Sequence, residues 1–230
     1  MLQEGCNVAV FDRDMVAASE TISIAGASGE RARAYAVDVT DYAAVAEAAV
    51  AAERDFGPIA VLVNNAGWDQ ASPFLQTTPE FWQKVVAINY IGVLNLHHAV
   101  LPGMVKRGAG KVINIASDAG RVGSSGEAVY AGCKGAVIAF GKTMARECAR
   151  SNVLINTVCP GPTDTPGFRA FAGGGEGAAK IVDGLSRAIP LRRLGEPDDY
   201  PGIVAFLASD DANFITGQVI SVSGGLTMHG

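Results

Sequence analysis

The chain has 230 residues, 49% of them hydrophobic and 18% charged, which suits one soluble domain with a substantial core. Its formal net charge is −5 with no basic stripe, which argues against a nucleic-acid partner. Cys6, Cys133, Cys148 and Cys159 form no C-x-x-C pair and the histidines no zinc spacing, so reduced thiols of a cytoplasmic protein are expected, and no metal. No apolar run of membrane-spanning length is apparent, and the first residues lack the basic and apolar regions of a signal peptide.

Apolar runs alternate with helical patterns along the chain. Asn7 to Phe11 reads as a short buried strand, residues 14–26 as a helix, Arg33 to Val39 as a strand and Asp41 to Phe56 as an alanine-rich helix. Ile59 to Val63 is the next strand. A long helix follows from Pro79 to Lys106, with a break expected at Pro102-Gly103. Val112 to Ala116 is a strand, Glu127 to Arg150 a helix and Val153 to Val158 a strand. Residues 176–188 and 198–208 read as helices, and Gln218 to Val222 as the last strand. Apolar strands separated by helices predict an α/β fold: a doubly wound parallel sheet in three α/β/α layers, one domain spanning 1–230. Ligands in such folds bind at the carboxyl ends of the strands. The glycine-rich stretch after Pro160-Gly161 therefore reads as a substrate lid over about 166–190, or as a plain surface loop.

Tyr130 and Lys134 are four residues apart, so a helix would place phenol and ammonium on one face. A nearby cation favours a phenolate and would lower a tyrosine pKa that is otherwise about 10. Ser117 lies upstream, where its hydroxyl could bind the oxygen of a reacting alcohol or ketone.

In chain order, Asn64-Asn65-Ala66-Gly67, Asn89, Ser117, the Tyr130/Lys134 pair and Pro160-Gly161 resemble the short-chain dehydrogenase/reductase family over nearly the whole chain. The resemblance implies a Rossmann-like fold and reversible hydride transfer between a secondary alcohol or ketone and a nicotinamide cofactor. Tyr130 would be the general acid and base, Lys134 would depress its pKa and bind the nicotinamide ribose, and Ser117 would polarise the substrate oxygen. Asn89 would position a proton-relaying water, or merely satisfy a backbone group inside its helix. Cofactor contacts are implied for Asp12, Asp38 and Val39, for Asn65, Ala66 and Gly67, and for Pro160, Gly161, Thr163 and Thr165. Asp12 would bind the adenosine ribose and repel a 2′-phosphate, so NAD is expected over NADP, with Arg13 softening the preference. Asp12 also fits a helix N-cap and Asp38 a turn cap.

The implied substrate is a 2-hydroxycyclohexanecarboxyl-CoA or similar β-hydroxyacyl-CoA, with Trp68 facing its ring, or simply packing in the core, and Arg121 facing the acyl-CoA, or lying as a solvated loop cation. The alternatives are a 3-oxoacyl group on acyl carrier protein and a non-catalytic relic. A homotetramer is implied, with neither nucleic acid nor membrane as partner. One expected part is absent. No G-x-x-x-G-x-G turn precedes Asn7, so the first strand and glycine-rich loop are expected to be missing, about 24 residues of a roughly 30-residue opening.

Overall fold

The computed structural model describes residues 1–172 and 176–228. Its first half runs β1 (Val8–Asp12), α1 (Met15–Ile24), β2 (Ala32–Ala36), α2 (Tyr42–Phe56), β3 (Val61–Asn64), α3 (Pro79–Val86) and α4 (Gly92–Arg107). The second runs β4 (Gly110–Ile115), α5 (Ala119–Val122), α6 (Ala128–Cys148), β5 (Val153–Pro160), α7 (Pro166–Ala172), α8 (Glu176–Ala188), α9 (Pro201–Ala208) and β6 (Val219–Val222). All strand pairs are parallel and the connections are helical, as the alternation predicts. Asp14 and Asp41 start α1 and α2 by accepting backbone N–H groups of the first turn.

The strands do not form one sheet. β1 pairs only with β2, from Val8 opposite Ala32 to Asp12 opposite Ala36. The other four pair in the order β3-β4-β5-β6. The pairing breaks between β1 and β3. The break shows in burial. β5 is buried at six of its eight positions, whereas every residue of β1 is half-exposed, as at a sheet edge. Side chains bridge what the backbone does not. Val37, Val45, Leu62, Leu96, Leu101, Val112 and Ile155 share one core, and Phe11 and Tyr35 pack against it.

The long helix is interrupted at a different place from the one expected. Pro102 sits inside α4, which continues through it to Arg107. The irregular turn is Ala87–Ile91, a π-helical widening in which Gly92 N–H reaches Ala87 O. Buried Asn89 lies within it, and its amide donates to Val85 O at 2.9 Å. Gly92 is required just beyond, because a Cβ there would stand 2.8 Å from Val39 Cγ2. The expectation about membrane-spanning length also needs correction. Pro79–Arg107 is long and apolar enough to cross a membrane, with a mean hydropathy of 1.3 over 18 residues. In this fold its apolar face, including Leu96, Val100 and Met104, is spent on the core.

Hydrogen exchange should expose the break. Amides of β4 and β5 are expected to be the slowest, and those of β1 at least about tenfold faster, since edge segments open locally. Equal protection of β1 and β5 would mean that the two sheets unfold as one.

Candidate active site

The carboxyl end of β4 and the first turns of α6 bring Ser117, Tyr130 and Lys134 together. The Ser117 hydroxyl stands close enough to the Tyr130 phenol to favour its ionised form. Its oxygen also accepts the Ala119 N–H at 3.1 Å, which orients it. Lys134 is 3% exposed. Its Nζ donates to Ile115 O at 2.9 Å and stands 5.5 Å from the Tyr130 ring centre. Close packing depends on Gly120, where a Cβ would come within 2.7 Å of the Gly135 nitrogen on α6.

Burial dominates the electrostatics. It pushes the Tyr130 phenol up to about 12, with Glu127 and Asp69 adding to the rise and the Ser117 hydroxyl opposing it. It also brings Lys134 down to about 8. Lys134 is not among the groups that lower Tyr130, contrary to the expectation. The ammonium is directed at the Ile115 carbonyl, and desolvation of the phenolate prevails.

Asn89 joins this cluster by serving backbone groups. Its Nδ2 donates to Trp68 O at 2.6 Å as well as to Val85 O, and its Oδ1 accepts the Trp68 N–H at 3.2 Å. Trp68 is thereby clamped on both backbone groups. Gly67 packs closely here, since a Cβ there would be 3.1 Å from Asn89 Oδ1 and 3.4 Å from Lys134 Nζ. Asn65, Ala66 and Gly67 lie exposed beyond the end of β3. Asn64 is buried beneath them and donates to Asn114 Oδ1 at 2.7 Å.

The other predicted cofactor residues are placed as follows. Asp12 ends β1 and accepts the Asp14 N–H at 2.9 Å, so Asp14, and not Asp12, caps the helix. Asp38 caps a turn through the Thr40 N–H and hydroxyl, which lower its pKa. The Val39 carbonyl accepts the Asn95 amide at 2.9 Å. Gly161 crosses close to β6, where a Cβ would meet Ser223 Cβ at 2.7 Å, and its N–H donates to Val222 O. The Thr163 hydroxyl bonds Gly161 O and the Tyr200 hydroxyl, while Thr165 Oγ1 accepts the Phe168 N–H. Residues 166–172 and 176–188 of the expected lid are helical, and Gly173, Gly174 and Gly175 lie outside the described residues. These groups fit the nicotinamide half of a cofactor: small exposed residues after β3, and an ammonium beside the phenol. Among the described residues, no glycine-rich turn lies between β1 and β3 to hold a pyrophosphate.

Two substrate-side expectations change. Lys84 Nζ lies 3.5 Å over the Trp68 ring, so one indole face is taken by a cation. Arg121 turns to β6, where its Nη1 donates to Ser221 Oγ at 2.9 Å. The sequence reading missed Asp118, a buried carboxylate next to Ser117, although an acidic residue beside a candidate serine was a visible signal.

The comparisons agree with this geometry. The family described as enoyl-(acyl carrier protein) reductase, of the short-chain alcohol dehydrogenase type, matches residues 1–227. An acetoacetyl-CoA reductase of Shinella zoogloeoides is 41% identical over 192 residues, 83% of this chain and 77% of that protein. The 3-oxoacyl-(acyl-carrier-protein) reductase FabG of Thermotoga maritima is 34% identical over 98% of this chain and 89% of its own. The solved structure of ElxO with NADP bound superposes with a TM-score of 0.89 at 30% identity, covering 98% of this chain and 90% of its own. The chain belongs to the short-chain dehydrogenase/reductase family and is an oxidoreductase of alcohol and keto groups.

His97, beneath the site, gives a test of its base. Burial brings it down to about 4, and its Nδ1 bonds Val93 O at 2.8 Å. The unfolded chain takes up this proton near pH 6.5, so the stabilisation is present above that pH and is lost as pH falls toward 4. Urea unfolding should show about 2 kcal/mol lost from this group between pH 7 and pH 5. His97→Asn should remove that share of the slope, and an unchanged slope would exclude the assignment.

Proposed function

We propose that the protein interconverts β-hydroxyacyl and β-ketoacyl thioesters with a nicotinamide cofactor. The observation that carries this reading is the cluster of half-buried Ser117 and Tyr130 with buried Lys134 beside the Asn89-clamped loop. A nicotinamide bound there supplies or accepts the hydride. Ser117 donates a hydrogen bond to the substrate oxygen. Tyr130, protonated at neutral pH, gives that oxygen its proton during reduction and must lose its own proton before oxidation. Lys134 binds ribose hydroxyls and, once turned from Ile115 O, stabilises the phenolate. Both amide hydrogens of Asn89 are spent on carbonyls, so a relay water there would donate to Oδ1 or to backbone.

NAD is the proposed cofactor because Asp12 presents a carboxylate where β1 ends. The NADP in ElxO and the adjacent Arg13 weigh toward the phosphorylated form. The proposed substrate is a 2-hydroxycyclohexanecarboxyl-CoA or a related β-hydroxyacyl-CoA, in keeping with the acetoacetyl-CoA reductase relative. The FabG relative supports an acyl-carrier-protein thioester as the second reading. The broken sheet favours one further alternative, a relic without turnover. A cytoplasmic homotetramer is proposed on the open apolar groove of Leu94, Leu101, Val105, Phe140 and Met144 between α4 and α6. Residues 166–190 are proposed as the lid.

Acetoacetyl-CoA reduction with NADH and with NADPH tests the reading. Tyr130→Phe should lower turnover by about 10²–10⁴. Asp12→Ala should weaken NADH binding, and oxidation should accelerate with rising pH while reduction does not. Preference for NADPH that survives Asp12→Ala would overturn the NAD assignment. A folded protein that binds neither cofactor would leave the relic.

A further inference from the structure

Asp118 follows Ser117 directly, and the hydride-transfer reading gives it no task. It is 4% exposed. Its Oδ1 accepts the Ser221 hydroxyl from β6. Ser221 Oγ in turn accepts Arg121 Nη1 at 2.9 Å, and the same nitrogen reaches Val219 O at 3.4 Å. Asp118 Oδ2 is buried and has no hydrogen-bond partner among the described residues. Burying a carboxylate is costly unless it is paired, and an apolar residue would often be more stable. The position therefore invites an explanation beyond stability.

The backbone supplies one. Ala116 N–H bonds Val158 O at 2.8 Å and Asp118 N–H bonds Pro160 O at 3.0 Å, so Ser117 is bracketed onto β5. Those bonds hold the turn to one neighbour only. The side chains of Asp118 and Arg121, at the two ends of the short α5 turn, tie it to the next strand. Between the two ties, Ala119 N–H orients Ser117 Oγ.

We propose that Asp118, acting through Ser221, is a positioning residue for Ser117. The tether to β6 fixes the 117–119 turn so that the serine proton points at the Tyr130 oxygen and at a substrate oxygen placed beside it. The inference rests on the hydride-transfer reading for the use of Ser117, whereas the tether from Asp118 to Ser221 does not depend on it.

The test is therefore read without turnover. The ¹³Cζ resonance of Tyr130, labelled at tyrosine, reports the influence of the Ser117 hydroxyl on the phenol at pH 7. Ser117→Ala gives the full displacement. Asp118→Ala and Ser221→Ala should move the resonance in the same direction, and neither should move it further in the Ser117→Ala background, because coupled residues are non-additive. Asp118→Asn, which keeps an acceptor for Ser221, should stay near the native position. If acetoacetyl-CoA is reduced, Asp118→Ala should lower kcat by about tenfold or more with KM little changed, and by less than about twofold when Ser117 is already alanine. An unmoved resonance in folded Asp118→Ala and Ser221→Ala would overturn the proposal, as would displacements that add to that of Ser117→Ala. If Asp118→Ala does not fold, Ser221→Ala alone decides. Absence of turnover with the expected resonances would count against the catalytic reading and leave the positioning intact.

Discussion

Two parallel sheets that, among the described residues, share no strand pairing are held as one fold by side-chain packing across the gap between them. Val37, Val45, Leu62, Leu96 and Leu101 carry this contact, with α2 and α4 as the covering helices. Hydrophobic packing is non-directional, so it can keep the sheets adjacent without fixing a ladder register. The division also separates the site's parts. Asp12 and Asp38 belong to the smaller sheet and its exit loops. Ser117 and the β3 loop belong to the larger sheet, and α6, which carries Tyr130 and Lys134, packs on it.

Within the larger half, chemistry and packing are inseparable. The phenol and ammonium are perturbed by partial and near-complete burial respectively, because α6 lies close against the loop after β4. Gly120 permits that approach from one side and Gly67 from another. The polar floor beneath is a rung across three strands: Asn64 opposite Asn114, and Asn114 opposite Thr157. Polar groups so deep in a sheet cost free energy unless bonded, and the Asn64–Asn114 bond offsets part of it. A rigid base results, one residue below the exposed Asn65-Ala66-Gly67 loop.

Much of this was legible in the sequence, because each strand is an apolar run and each motif sits at the end of one. The Tyr130/Lys134 spacing carried its geometry by itself, since any helix puts those positions on one face. What was not legible depends on partners remote in sequence. The helix widens at Asn89 because Asn89 holds Trp68, a contact no local pattern encodes. Pro102 does not break α4, since losing one N–H is tolerated in a helix packed along its length. Arg121 seemed free for a ligand until β6 was in place beside it. The sign of the Tyr130 shift failed for a related reason: residue spacing specifies the neighbour, whereas burial is a property of the whole fold.

The cation over Trp68 has an optical consequence. The chain holds two tryptophans, Trp68 and Trp82. Trp82 stacks on Phe74, whereas Trp68 lies in the field of an ammonium 3.5 Å above its ring. A positive charge on one indole face alters the energy of its excited state. The emission colour of Trp68 is thus a built-in gauge of whether the loop after β3 is seated, legible in the native protein without any added dye.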